Sequence, residues 1–210
     1  MKATAPATRG FIMALASASL AGCISVFPKE APEQLYRFGG DPPPVEKTSA
    51  PSAGSFTVQS NPTSFDRAAA GDAILTITGN QAAYIKGSRW VSPAATLFDA
   101  AVTRAFDANH GSARLIPRGE AARADYVMKL DIRTFETRYV DGPGAPPVVM
   151  VEVYADLTRT ADRTLAGEHI FKARIPVDEN RAGAIARAFD KATSRVLGEL
   201  VVWTNNKGSQ

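Results

Sequence analysis

Cysteine and histidine are scarce in this sequence, with one cysteine and two histidines among 210 residues. A single cysteine excludes an intramolecular disulfide framework and a four-cysteine zinc site. The two histidines leave few ligands for any other metal cluster, so we predict no metal site. Otherwise the composition is ordinary, with 45% hydrophobic and 21% charged residues, which excludes a wholly disordered or collagenous chain.

The motifs of common enzyme classes are also missing. The chain has no Gly-x-Ser-x-Gly elbow, His-Glu-x-x-His pair, Walker loop or dinucleotide fingerprint. His169 has the inward phase of a predicted strand, which favours a hydrogen-bonded core histidine over a catalytic base. His110 follows a predicted helix and is interpreted as a capping or loop residue. We therefore predict a non-catalytic protein without a cofactor.

Residues 1–22 have the features of a secretory signal peptide. Lys2 and Arg9 precede a ten-residue apolar stretch, 11–20, which is too short to span a bilayer core that needs about 20 residues. Leu20-Ala-Gly-Cys23 then matches the bacterial lipobox, in which the cysteine thiol carries a diacylglycerol. The alternative is an ordinary cleaved signal followed by an incidental cysteine.

An acylated Cys23 would hold the chain on a membrane, and two or three acyl chains suffice for stable anchoring. Because Ile24 rather than aspartate follows the cysteine, the enterobacterial inner-membrane retention signal is absent. We therefore expect an outer-membrane anchor on the periplasmic side. Removal of residues 1–22 lowers the net charge from +3 to about +1, and no basic run remains, so nucleic-acid binding is not predicted.

Composition divides the rest of the chain into a linker and a folded domain. Residues 23–54 are rich in proline, glycine and serine and are interpreted as an acylated tether, with a short strand at 35–38. Residues 55–205 form the predicted domain. Alternating patterns predict long strands near 125–138, 148–157 and 165–175, and spacings of three and four predict helices at 93–108 and 180–203. Ser92 and Pro93 are the expected N-cap and first residue of the first helix.

This order of elements favours an α+β fold: a mainly antiparallel sheet with two helices packed on one face, forming a two-layer sandwich. A shift of the apolar phase near Phe135 predicts a bulge or the end of a strand. Charged residues in the first long strand share the outward phase and predict a solvated face with cross-strand ion pairs. They are Asp125, Lys129, Asp131 and Arg133.

Four apolar residues have the phase expected to face water: Val148, Met150, Tyr154 and Ile170. A second apolar face indicates a covered sheet, an oligomer interface or a lipid-contacting surface. The Tyr36 segment or a helix could provide the cover, and this alternative stays open at the level of sequence.

The segment from Tyr84 to Pro93 resembles the ABC-type transport auxiliary lipoprotein family, in which a strand leads to an Arg-Trp-x-x-Pro turn and a helix. Here the turn is Arg89-Trp90-Val-Ser-Pro93, and 124–132 matches the family's later Asp-Tyr strand. The resemblance covers roughly residues 55–203. Trp90 is expected to bury its ring at the strand–helix turn, with Arg89 reaching nearby carbonyls or acids.

The resemblance implies an auxiliary subunit of a transporter that moves phospholipids or related lipids between the inner and outer membranes. Its implied partners are a protein with mammalian-cell-entry (MCE) domains and an ABC permease–ATPase complex, and it implies assembly into a homo-oligomeric ring. The alternative is an envelope-assembly lipoprotein, such as a peptidoglycan synthase activator or a secretion-pore subunit, since such proteins can share a small α+β domain on an acylated tether.

Overall fold

Nine strands and two helices make up the described part of the chain, which comprises residues 32–40, 54–116 and 123–209 of a computed structural model. The strands are β1 (Gln34–Tyr36), β2 (Phe56–Ser60), β3 (Ser64–Phe65), β4 (Ala73–Thr78), β5 (Gln81–Trp90), β6 (Ala113–Ile116), β7 (Tyr126–Arg138), β8 (Val148–Arg159) and β9 (Leu165–Pro176). The helices are α1 (Ala94–Asp107) and α2 (Ala182–Gly208). All these elements belong to one unit, Glu33–Gln210.

The three longest strands, β7, β8 and β9, form an antiparallel meander. β8 pairs with β7 on one side and with β9 on the other. Alternate residues of β7 and β8 are buried while those between them stay partly open to solvent, which is the pattern of a sheet covered on one face. The β7–β8 register shifts between Ile132 and Thr134, so the predicted irregularity near Phe135 is confirmed as a bulge.

The other edge of β7 pairs with three short strands in succession, all parallel to it. β2 pairs with its beginning, β3 with its middle and β4 with its end. β6 then extends the sheet beyond β2, and β5 extends it beyond β4. β1 adds a parallel strand to β5, with Tyr36 opposite Trp90.

Both helices contribute to a single core with the buried face of the sheet. α2 packs against β8 and β9, and α1 packs against α2 and β6. The buried residues of α2 recur at spacings of three and four along its whole length, as in an amphipathic helix. The predicted α+β fold is confirmed.

The ends of both helices differ from the prediction. Pro93, not Ser92, is the N-cap of α1, and it makes no side-chain capping hydrogen bond. The backbone carbonyls of Gly71 and Ala70 accept hydrogen bonds from the N–H groups of Ala94 and Ala95 instead, at 2.8 and 3.2 Å. α2 continues to Gly208, five residues beyond the predicted end.

The prediction that His169 is a core histidine is wrong. It has the inward phase, opposite buried Ala155, but its side chain is exposed and its ring contacts Phe171. The inward residues of β9 are buried from Phe171 onward, whereas His169 lies in the less buried first half of the strand. His110 lies in an exposed loop after α1, as expected.

Candidate functional site

Two features of the described chain are candidates for function: the turn around Trp90, where the N-terminal segment attaches, and the open face of the β7–β9 meander. The predicted lipidation site, Cys23, lies outside the described residues. No helix within 32–40, 54–116 or 123–209 is long and apolar enough to cross a membrane. The same ranges hold no group of three or more histidine, cysteine or acidic residues that could bind a metal.

Trp90 lies at the centre of an aromatic cluster and is 2% exposed. Its ring meets Phe38 and Phe189 edge-on, with centroid distances of 4.9 and 5.2 Å. Phe135 packs against both of these phenylalanines. Edge-to-face pairs of this kind stabilise a core beyond simple burial. Trp90 therefore joins β5 to α2, to β7 and to the N-terminal segment.

Arg89 lies on the outside of the same turn, where it bridges two acids. Its Nε is 2.7 Å from Glu33 Oε2, and its Nη1 is 3.2 Å from Asp72 Oδ2. The hydrogen bonds to Glu33 and then Asp72 raise the pKa of the guanidinium above its ordinary value. Tyr84 is also exposed, and its hydroxyl donates to the Ala68 carbonyl at 3.1 Å. The contacts of Arg89 therefore join β5 to residues 33 and 72, and the contact of Tyr84 joins β5 to residue 68.

Residues 33–40, here called the docking segment, are held by more than the three-residue strand β1. Phe38 is almost fully buried in the aromatic cluster. The N–H of Gly39 donates to Asp190 of α2 at 2.6 Å, and its carbonyl accepts from Arg104 of α1 at 2.7 Å. Gly39 has φ +64°, and a Cβ atom there would lie 2.5 Å from the Cβ of Ala101.

Sequence reasoning identified Tyr84, Arg89, Trp90 and Pro93 but missed Phe38 and Gly39 as their partners. The available signals were the apolar Leu35-Tyr36-Arg37-Phe38 island and the two glycines directly after it. A glycine pair is a common loop signal, so it does not reveal that one of the two is inserted between helices.

The second candidate, here called the back face, consists of the outward residues of β7, β8 and β9. It carries all four apolar residues noted in the sequence. Val148, Met150 and Tyr154 are half-buried, and Ile170 is 39% exposed. Both helices pack on the opposite side and β1 lies beyond β5, so neither of the covers considered in the sequence analysis lies over this face.

The apolar residues of the back face lie among charged pairs. Tyr154 is opposite Ile170 in the β8–β9 ladder, and the guanidinium of Arg133 stacks over its ring, 4.4 Å from the centroid. The Tyr154 hydroxyl donates to Glu168 at 2.9 Å, which raises the pKa of the phenol.

Ion pairs occupy the rest of this face. Lys172 of β9 lies 2.9 Å from Glu152 of β8, a cross-strand ion pair between residues other than the four for which such pairs were predicted. Arg133 pairs with Asp131 within β7 at 3.2 Å. The back face is therefore a mosaic of small apolar areas and ion pairs.

Two open clefts lie near this meander. One, of about 580 Å³, lies on the back face between the β2–β3 connection and residues such as Lys129, Arg133 and Asp156. The other, of about 570 Å³, lies beside the end of α2 and is lined by Phe56 and Arg159 among others. His169 lines neither of them.

Comparison with known proteins places this geometry in a family. The family model for the ABC-type transport auxiliary lipoprotein component matches residues 36–201. No curated protein matches the chain. Among solved structures, the chain is similar to protein XCC0632 from Xanthomonas campestris, assigned to DUF330, with 25% identity and a TM-score of 0.71 over 84% of this chain and 97% of that one.

Two further structures share the fold. An uncharacterized protein has 10% identity and a TM-score of 0.64, over 83% of this chain and 99% of the other. The hypothetical protein CT253 from Chlamydia trachomatis has 14% identity and a TM-score of 0.50, over 73% and 97%. Since the family model spans most of the unit, from the docking segment into the last turns of α2, the chain belongs to the ABC-type transport auxiliary lipoprotein component family.

Proposed function

We propose that this chain is a non-catalytic outer-membrane lipoprotein, facing the periplasm, that serves an ABC/MCE-type system moving phospholipids or related lipids between the two membranes. The observation that carries the proposal is the family match over residues 36–201. The lipobox at Leu20–Cys23 supports the anchor, because the only cysteine of the chain lies at the position that the motif requires. The proposed boundaries are a signal at 1–22, a tether at 23–54 that includes the docking segment, and a domain at 55–205.

The back face is the proposed contact surface for the MCE partner. Its apolar residues, Val148, Met150, Tyr154 and Ile170, are accessible but lie among the ion pairs of Lys172 and Arg133. A surface that inserts into lipid would expose a continuous apolar area, whereas mixed apolar and charged surfaces are typical of protein interfaces. The permease–ATPase complex would then be reached through the MCE protein.

Anchoring is tested by processing of the precursor. Globomycin, which blocks the lipoprotein signal peptidase, should cause the unprocessed chain to accumulate, and Cys23→Ser should abolish acylation. Release of a processed, unacylated domain by the native sequence would contradict the lipoprotein assignment. It would favour the ordinary signal peptide instead.

The partner is tested by cross-linking in cells and identification of the captured proteins. We expect an MCE-domain protein, and we expect Met150→Asp to reduce its capture at least tenfold by placing a carboxylate in the apolar part of the back face. The control is Val202→Asp, which places a carboxylate at an exposed apolar residue on α2. Capture of cell-wall synthases or secretion-pore proteins in place of an MCE protein would refute the transport role and support the alternative assembly role.

A further inference from the structure

β9 is the outermost strand of the meander, and its second edge has no partner among the described residues. It is twelve residues long and pairs with β8 alone. A long open edge displays unpaired N–H and C=O groups and is a template for pairing with another strand.

The hydrogen bonds of the sheet show which residues of β9 have free backbone groups. Val148 lies opposite Pro176 at the end of the β8–β9 ladder. One residue further along, the N–H of Val177 donates to the carbonyl of Pro147 at 2.9 Å. In an antiparallel pair, every second residue of a strand forms such hydrogen bonds with the neighbouring strand, and the residues between them direct their N–H and C=O groups to the other side. The odd-numbered residues of β9 therefore bond to β8, and the even-numbered residues from Glu168 to Arg174 direct their N–H and C=O groups to the open edge.

The hydrogen bonds of β7 follow the same alternation. The N–H of Tyr139, at the end of β7, donates to Ile77 of β4 at 2.9 Å. The carbonyls of Met128 and Ile132 accept from the β2–β3 side, on the other side of the bulge. The even-numbered residues of β8 therefore bond to β7, which leaves its odd-numbered residues for β9.

The side chains of β9 are complementary to those of an antiparallel copy of the same strand. A two-fold axis at Ile170 places that residue opposite its own copy, and it places Glu168 opposite Lys172 of the second molecule in both directions. Ile170 is 39% exposed, and the Lys172 side chain is 66% exposed even though it pairs with Glu152 of the same molecule. Opposite charges directly across a ladder stabilise pairing, and like charges oppose it. An axis at Glu168 or Lys172 would instead bring like charges together.

We propose that a second copy of this chain pairs with β9 in antiparallel register about Ile170, so that two meanders form one continuous sheet. At three positions, Glu168, Ile170 and Lys172, the backbone N–H and C=O groups point to the open edge and the side chain lies opposite a compatible side chain of the second copy. The charges also select a copy of β9 over strands without an acid and a base at this spacing. The contact is isologous and joins two subunits, so the ring that the family resemblance implies would need a second surface. It does not depend on the proposed transport role.

Disulfide trapping tests the register directly in the full chain, purified in detergent micelles. In a hydrogen-bonded antiparallel pair the two Cα atoms of residue 170 would lie about 5.5 Å apart, within disulfide range. Ile170→Cys should therefore give a covalent dimer under mild oxidation. Lys172→Cys should not, because its two copies would lie about 14 Å apart along the strands. The parent chain, whose only thiol is Cys23, is the control for cross-linking through that residue.

A proline variant tests whether the backbone edge is the contact. Ile170→Pro removes an N–H that points away from β8, so the internal ladder is retained. We expect it to be monomeric by native mass, with a far-UV spectrum like that of the parent chain. Ile170→Ala keeps the N–H and should retain measurable dimer. If Ile170→Pro fails to fold, the two cysteine variants decide alone.

A parent chain that is monomeric at all accessible concentrations, with no Ile170→Cys cross-link, would overturn the proposal. Cross-linking through Lys172→Cys in place of Ile170→Cys would overturn the register. Larger assemblies that are unaffected by Ile170→Pro would show that another surface carries self-association.

Discussion

Two buried threonines of this domain differ in whether their hydroxyl groups form a hydrogen bond. Thr193 and Thr204 both lie on α2, and both are fully buried. The hydroxyl of Thr204 donates to the Leu200 carbonyl at 2.8 Å, whereas the hydroxyl of Thr193 has no partner among the described residues. A buried polar atom without a hydrogen bond costs free energy that the native state must offset elsewhere.

Thr193→Val should therefore stabilise the protein by about 1 kcal/mol, because valine has the same shape without the unpaired hydroxyl. Thr204→Val is the matched control: it removes a hydroxyl that is paired, so we expect no gain. Threonine and valine have similar helix propensities, which cancels that contribution between the two sites. Urea denaturation of the two variants measures the difference. Equal effects at both sites would contradict the interpretation.

Trp90 and His169 show what a single residue's sequence context can reveal. The burial of Trp90 follows from its size and its place between a strand and a helix, and the structure confirms it. The inward phase of His169 is also correct, but its exposure depends on how far along β9 the core extends, which the pattern of one strand does not show.

Among the elements, the long strands and helices were predictable, whereas the short strands β2 and β3 were not. Alternation over a dozen residues identifies β7, β8 and β9, and helical spacing identifies α1 and α2. β2 and β3 are five and two residues long, too short to show a period, and their pairing with β7 depends on distant parts of the chain. β5 is largely exposed along its first half, so it lacks the alternation that marks a half-buried strand.

The side chain of Asp125 helps to attach β2 to the beginning of β7. Its Oδ2 accepts hydrogen bonds from the Thr57 N–H and the Thr57 hydroxyl, each at 2.7 Å. The backbone hydrogen bond, followed by the hydroxyl, lowers the pKa of the Asp125 carboxyl below its ordinary value. The lowered pKa in the folded state means that ionised Asp125 favours folding above about pH 4, the value in the unfolded chain.

Asp125→Asn should therefore reduce the free energy of unfolding at neutral pH. The difference from the native sequence should decrease as the pH falls below about 4 and the native carboxyl becomes protonated. Urea denaturation at a series of pH values checks this. In a Thr57→Val background the pH-dependent part should be smaller, since one of the two donors is gone. A difference that stays constant with pH would show that the charge of Asp125 does not contribute.

In the molecule as a whole, the docking segment joins elements that are far apart in sequence. Gly39 connects α1 and α2 through Arg104 and Asp190, and Phe38 completes the aromatic cluster around Trp90. The folded unit therefore begins before residue 55, where composition alone placed the start of the domain. The Pro-rich composition of the segments on either side conceals the few residues that pack.

Gly39→Ala should lower the free energy of unfolding by about 3 kcal/mol, since it adds a left-handed backbone penalty and an overlap with Ala101. The matched control is Gly79→Ala, which has a similar φ of +57° but open space around its Cβ position, and should cost about 1 kcal/mol. Urea denaturation measures both. A Gly39→Ala variant no less stable than Gly79→Ala would show that the docking segment does not contribute to folding.

The docking segment also limits how far the domain could lie from the proposed lipid anchor. Both Gly40 and Gly54 belong to the described fold, so residues 41–53 connect two parts of it and add nothing to the distance from the anchor. For an acyl group on Cys23, only the nine residues 24–32 would remain as a linker before the docking segment, with a contour length of about 30 Å. An undocked chain up to residue 54 would reach about 110 Å. With that anchor, the domain would work close to the bilayer surface, and a partner that meets it would have to extend to that surface.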